Sequence, residues 1–298
     1  MVDTLPGVHG SPTSRLPAPV LVLGAIASVQ TGSAIARSVF DETGAMGVTL
    51  MRLGFASVLL VAVLRPAPWR WSRDARIAAV VFGLAMASMN ISFYQALRTL
   101  PLGVAVTAEF LGPLCLALAQ TRRVRDLVWV GCAGAGVALL GLRGGSDAPL
   151  RGLAFALLAG LFWAGYILAS ARVGRLVPGT EGLAVALVVA SLAALPFGAT
   201  GVVRVLDQPA VLAVGMLVAL LSSVVPYGFE LAALRRIPTR VFGVLMSLEP
   251  AAAALAGLLV LGQALAAREL VALVLVSLAS IGITVGRRRT DVPPPPLD

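Results

Sequence analysis

Ten long apolar runs constrain this chain more than any motif does. They lie at roughly 17–36, 46–64, 77–97, 102–120, 127–142, 152–171, 182–201, 210–233, 240–261 and 269–286. A helix needs about 20 mostly apolar residues to cross a bilayer. Inside the bilayer only helices and closed barrels satisfy their own backbone. The runs therefore predict an all-α membrane protein with ten transmembrane helices. Charged residues make up 12% of the 298, about half the share of a soluble domain. No stretch between runs is long enough for a separate soluble domain. The first run is long for a cleaved signal peptide and reads as the first span.

The formal net charge is +9, but its distribution argues against nucleic acid as a partner. All 23 basic residues are arginine, and they sit in the loops between runs, where they set topology. With both termini in the cytoplasm, 16 arginines fall inside and 6 outside, with Arg52 left within a span. The bias predicts a multi-pass membrane protein with both termini cytoplasmic. Without lysine there is no P-loop lysine and no Schiff base. The single histidine, His9, lies in the polar tail 1–15. Cys115 and Cys132 are too few for a disulfide framework or a cysteine zinc site and are expected as buried thiols. No metal site and no cofactor are predicted.

The chain also repeats itself. "ALRTLPLGVAVTAEFLGP" (96–113) aligns without gaps with "ALRRIPTRVFGVLMSLEP" (233–250), an offset of 137. Arg98 matches Arg235, Pro101 matches Pro238, and Pro113 matches Pro250. A repeat of five spans is odd in number, so its second copy enters the membrane upside down. Two inverted five-helix halves are expected, at 16–143 and 151–286, flanked by the tail 1–15 and a basic, proline-rich tail 287–298. Two such halves suit alternating access, because exchanging their conformations exchanges the side that is open.

Polar residues within the runs mark the candidate site, since a charge at mid-bilayer costs roughly 2.5–3.5 kcal/mol. Gln30, Ser33 and Arg37 share one helix face. Arg52 is expected either to snorkel or to pair with a glutamate. Met86, Asn90 and Tyr94 share a face, as do Ser223, Tyr227 and Glu230, and as do Trp163, Tyr166 and Ser170. Asn90 and Tyr227 are one repeat apart. Glu109 and Glu249 each lie beside a helix-breaking proline, Pro113 and Pro250. Pro113 removes the bond to the carbonyl of Glu109, and Pro250 the bond to that of Met246. A free carbonyl and a carboxyl group are tolerated at such depth where a span lines a cavity. Glu109, Glu230 and Glu249 are the candidates for a titrating group.

These stretches carry a family resemblance. "ASVQTGSAIARSVF" (27–40), "GVTLMRL" (47–53), "MNISFYQALRTLPLGVAVTAEFLGPL" (89–114) and "SSVVPYGFELAALRRIPTRVFGVLMSLEPA" (222–251) resemble the EamA family of the drug/metabolite transporter superfamily. The likeness is greatest to its threonine/homoserine exporters and spans the chain between the tails. It implies export of small amino acids driven by protons. Gly262-Gln263 departs from the Gly-Glu that many members carry after the ninth span. A zwitterionic substrate asks for a cation for its carboxylate and an acid for its ammonium. Arg37 or Arg52 meets the first need and one of the three glutamates the second. Gln30, Asn90, Ser223 or Tyr227 meets a hydroxyl. The alternatives are the same fold carrying another metabolite or a drug, and an intramembrane enzyme. The enzyme has no metal motif or nucleophile–base pair in its favour.

Overall fold

The computed structural model of the chain describes residues 16–119, 127–141, 147–177, 179–234 and 236–286. The expectations for the two tails, and for Arg122, Arg123, Arg125, Arg143, Arg235 and Arg287–Arg289, lie outside the described residues. Among those described, every regular element is helical: α1 (Ala18–Ser38), α2 (Phe40–Leu64), α3 (Arg73–Ala96), α4 (Leu102–Glu109), α5 (Leu111–Ala119), α6 (Leu127–Gly141), α7 (Asp147–Leu176), α8 (Glu181–Val203), α9 (Pro209–Ala219), α10 (Val225–Leu234), α11 (Thr239–Met246), α12 (Glu249–Leu261) and α13 (Ala267–Gly286), with one turn of 3-10 helix at Pro68–Arg70. Among the described residues, nine segments are long and apolar enough to cross a membrane. The run expected at 127–142 gives a shorter apolar helix, Leu127–Leu140.

Local chemistry sets the helix starts. The Ser72 side chain accepts from the Ala75 N–H, with Asp74 in the first turn of α3, an N-cap reinforced by a favourable dipole interaction. Pro209 opens α9, where a missing N–H costs nothing. Pro101 and Pro238 both hold extended backbone immediately before α4 and α11. Gly262 ends α12 in the left-handed region, where glycine is favoured.

Three expected spans are broken. α4 gives way to α5 at Phe110, and α11 to α12 across Ser247 and Leu248. Pro113 and Pro250 fall in the first turns of α5 and α12. Each proline therefore stands in the first turn of a new helix, just after the break. The third break is a π-helical turn, Leu220–Val224, between α9 and α10. The second span also differs from expectation. Its helix begins at Phe40, not 46, with non-helical backbone at Gly44 (φ 69°, ψ 159°).

Small residues let the helices approach closely, as in other membrane bundles. α3 runs along α7 and α2 along α8. A methyl group on Gly112 of α5 would overlap the Gly160 carbonyl of α7, so these backbones are in direct contact. The broad exposed apolar surface, including Val58, Leu161, Leu192 and Leu259, suits contact with lipid. Cys115 belongs to that surface and is exposed rather than buried. Cys132 is half-buried.

Candidate functional site: a central polar cavity

The breaks surround a cavity of about 380 Å³, within the usual range for a small-molecule site. Gln30 and Ser33 enter it from α1, Arg52 from α2 and Asn90 from α3. Glu109 and Pro113 stand at the α4–α5 break, Tyr166 on α7, Tyr227 and Glu230 on α10, and Glu249 at the start of α12. Phe110 and Trp163 supply apolar wall and pack edge to face, with centroids 5.7 Å apart. The broken spans thus bring all three glutamates to one cavity, and Glu249 lies within electrostatic range of both Glu109 and Glu230. Tyr166 and Tyr227 lie close enough to interact.

Arg52 does not snorkel; it lies within electrostatic range of Glu109 but hydrogen-bonds no carboxylate among the described residues. It is 8% exposed. Its Nη2 donates to the Ser222 carbonyl at 2.8 Å, Nε to Ser223 Oγ at 3.4 Å and Nη1 to the Tyr94 hydroxyl at 3.4 Å. The guanidinium also lies 5.8 Å from the Tyr94 ring centroid. Tyr94 is fully buried, and neither it nor Ser223 lines the cavity. Both hold Arg52 from behind. The guanidinium is fixed by neutral partners and leaves a net positive charge facing the cavity.

The remaining expected residues divide. Asn90 Nδ2 donates to the Met86 carbonyl at 2.9 Å. Met86 is buried in the core. Ser170 bonds within its own helix, to the Ile167 carbonyl. Pro250 is buried outside the cavity. Arg37 is the clear departure. It sits one turn beyond Ser33 but lines a separate depression at the far end of α1, because its side chain turns back over the Phe40 ring, 5.0 Å from the centroid.

Sequence reasoning missed Ser222, Pro226 and the role of Gln263. Pro226 has no N–H and cannot bond the carbonyls of Leu221 and Ser222 in the turn before it. Ser28 Oγ donates to the first of these at 2.7 Å, and Arg52 takes the second. The signal was "SSVVP": a mid-span proline implies free carbonyls, and the nearest buried donors are their partners. Ser222 Oγ and Gln30 Oε1 have no hydrogen-bond partner among the described residues, although each residue is only 3% exposed. Buried polar atoms are normally satisfied, so this pair leaves unused bonding capacity beside the cavity. Gln263 Oε1 accepts from the Leu102 N–H at 2.9 Å and caps α4 from the far side of the chain.

Among the described residues no cluster of three or more His, Cys, Asp or Glu is placed to hold a metal ion. Fixed cation, clustered carboxyl groups, tyrosines and apolar wall make a cavity whose charges complement those of a small zwitterion. Helices that span a membrane around such a site define a solute transporter. Known proteins agree. The chain is 41% identical over 283 residues to the threonine/homoserine exporter RhtA of Salmonella typhimurium, covering 93% of this chain and 95% of that protein. It is 41% identical over 273 residues to RhtA of Escherichia coli K12, covering 91% and 92%. A crystal structure with 17% identity matches 90% of this chain and 96% of its own, with a TM-score of 0.57, which supports the fold. The profile of the EamA-like transporter family matches residues 150–285. The chain belongs to this EamA-like transporter family and is a multi-pass membrane transporter.

Proposed function

We propose that this protein exports small hydroxylated amino acids, threonine and homoserine among them, across a bacterial inner membrane by alternating access in exchange for protons. The reading is carried by the near full-length identity to exporters of those two amino acids. The cavity supports it, because Arg52 faces a carboxylate while Glu109, Glu230 and Glu249 face an ammonium group or a proton. In this reading both termini are cytoplasmic, Leu127–Leu140 is the fifth of ten spans, and 16–143 and 151–286 are inverted halves. Phe242, on the cavity wall, packs in one cluster with Leu21 near the start of α1. The cavity thus reaches toward the end where α1 begins, the cytoplasmic end on the arginine count, and is poised to load.

The test is uptake of labelled threonine and homoserine into inside-out vesicles with and without an acidic interior. Accumulation that needs the gradient is expected. Gln in place of the proton-carrying glutamate should abolish gradient-driven accumulation while leaving threonine–threonine exchange. If Glu109→Gln, Glu230→Gln and Glu249→Gln each accumulate as wild type does, the glutamates do not couple. If neither amino acid moves, the substrate is a different metabolite or a drug.

A further inference from the structure

A second cavity shares no lining residue with the first. It has about 380 Å³ and sits where α1, α3 and α8 end and α2 begins. Arg37, Arg98 and Arg204 line it, with Asp41 as the only carboxylate among the described residues and Gln95 and Thr200 as further polar groups. Arg98 donates to Gln95 Oε1 at 3.1 Å, and Arg37 Nε is buried with no hydrogen-bond partner among the described residues. The backbone turns at Gly44, so Ala45, Met46 and Gly47, which also line the cavity, form the first turn of the helix that follows. First-turn N–H groups lack intrahelical acceptors and favour anions. Three guanidinium groups against one carboxylate select an oxyanion that accepts paired hydrogen bonds.

A continuous stack of side chains lies between the two cavities. The Arg37 guanidinium covers the Phe40 ring at 5.0 Å, Phe40 packs on Tyr94 with centroids 5.9 Å apart, and Arg52 covers the other neighbour of that stack, the Tyr94 ring, at 5.8 Å. Arg37 belongs to the second cavity and Arg52 to the first. Phe40 and Tyr94 are both buried.

We propose that the second cavity is an exit station that binds the carboxylate of the transported solute, and that the Arg37–Phe40–Tyr94–Arg52 stack is the closed gate in front of it. The inference rests on the transporter reading. Each end of the stack is a cation that a carboxylate attracts. A solute leaving Arg52 meets Arg37 next, and drawing either guanidinium off its ring loosens the aromatic pair between them. Arg37, which did not join the central site, and Tyr94, which lies behind it, both gain a role.

Cysteine labelling tests both parts in a chain with Cys115 and Cys132 replaced by serine. Thr200→Cys reports on the second cavity. Its reaction with an anionic, impermeant methanethiosulfonate in intact cells should be slowed by threonine but not by threonine amide, which lacks the carboxylate. Protection should weaken at least about tenfold in Arg98→Gln and Arg204→Gln, the loss expected for a charge-assisted hydrogen bond. Equal protection by the amide overturns the station. So does slow labelling that threonine leaves unchanged, the mark of a resident lipid phosphate. Ser33→Cys reports on the gate. From the same side it should react about tenfold faster in Phe40→Ala, which removes the ring contacts. Phe40→Leu serves if the alanine variant does not reach the membrane. Equal rates overturn the gate. Threonine protection of Ser33→Cys in inside-out vesicles, without protection of Thr200→Cys in cells, leaves the transport reading standing and sinks the station alone. Protection at neither position sinks both.

Discussion

Arg52 carries most of the site's order. Its three hydrogen bonds join α2 to α3 and to the π turn, where Pro226 offers no N–H to the Ser222 carbonyl. Arg52→Ala should therefore strand a buried acceptor, at a cost of about 1–3 kcal/mol, and remove the cation facing the cavity. Thermal unfolding in detergent should show the lower stability, and transport should be lost. Arg52→Lys should recover part of the stability but little transport, because an ammonium group cannot reproduce the planar fork. The sequence made Arg52 visible as a costly charge in an apolar run. It did not show the partners, because Tyr94 lies 42 positions away and Ser222 and Ser223 about 170, and only packing brings them together. Arg37 is the converse case. Its spacing from Gln30 and Ser33 put it on the right face, but one further turn carried it past the cavity.

At the scale of elements, the breaks matter more than the helices. The prolines at 113 and 250 were legible as breakers, yet the π turn was not, since nothing in "LLSSV" itself opposes an α-helix. Its cause is Pro226 downstream. Pro226→Ala would return an N–H able to bond the Ser222 carbonyl and would compete with Arg52 for it. Thermal stability is expected to hold or rise, because an interior proline opposes the helix. Threonine affinity is expected to weaken about tenfold, the equivalent of one charge-assisted bond at about 1.5 kcal/mol. Binding that is unchanged would show that the π turn does not position Arg52. The linker after α12 offers a second check. Gln263 caps α4 through an oxygen, so Gln263→Leu should cost about 1 kcal/mol. Gln263→Glu should cost less, because a carboxylate accepts the same bond and complements the helix N-terminus. Unfolding measurements on the two variants should therefore rank leucine below glutamate. Gln263, where the resemblance led us to expect a glutamate, still presents a capping oxygen to Leu102.

Across the whole molecule, apolar residues face outward as well as inward, so burial alone does not identify the core. Leu192, midway along α8, is 63% exposed. Leu192→Arg should lower membrane insertion by about 2.5–3.5 kcal/mol, read as loss of full-length protein in the membrane fraction, although a soluble protein would accept arginine there freely. The sequence by itself determined that the chain is helical and membrane-spanning, and which polar residues were candidates. Hydrophobic run length and the cost of a buried charge are local properties that need no knowledge of neighbours. Only the tertiary structure decided which candidates meet. Glu109, Glu230 and Glu249 converge because three separate helix breaks face one space, while Arg37 and Arg52 part because an aromatic pair packs between them. Those outcomes depend on distances between residues far apart in the chain, which helix periodicity does not encode.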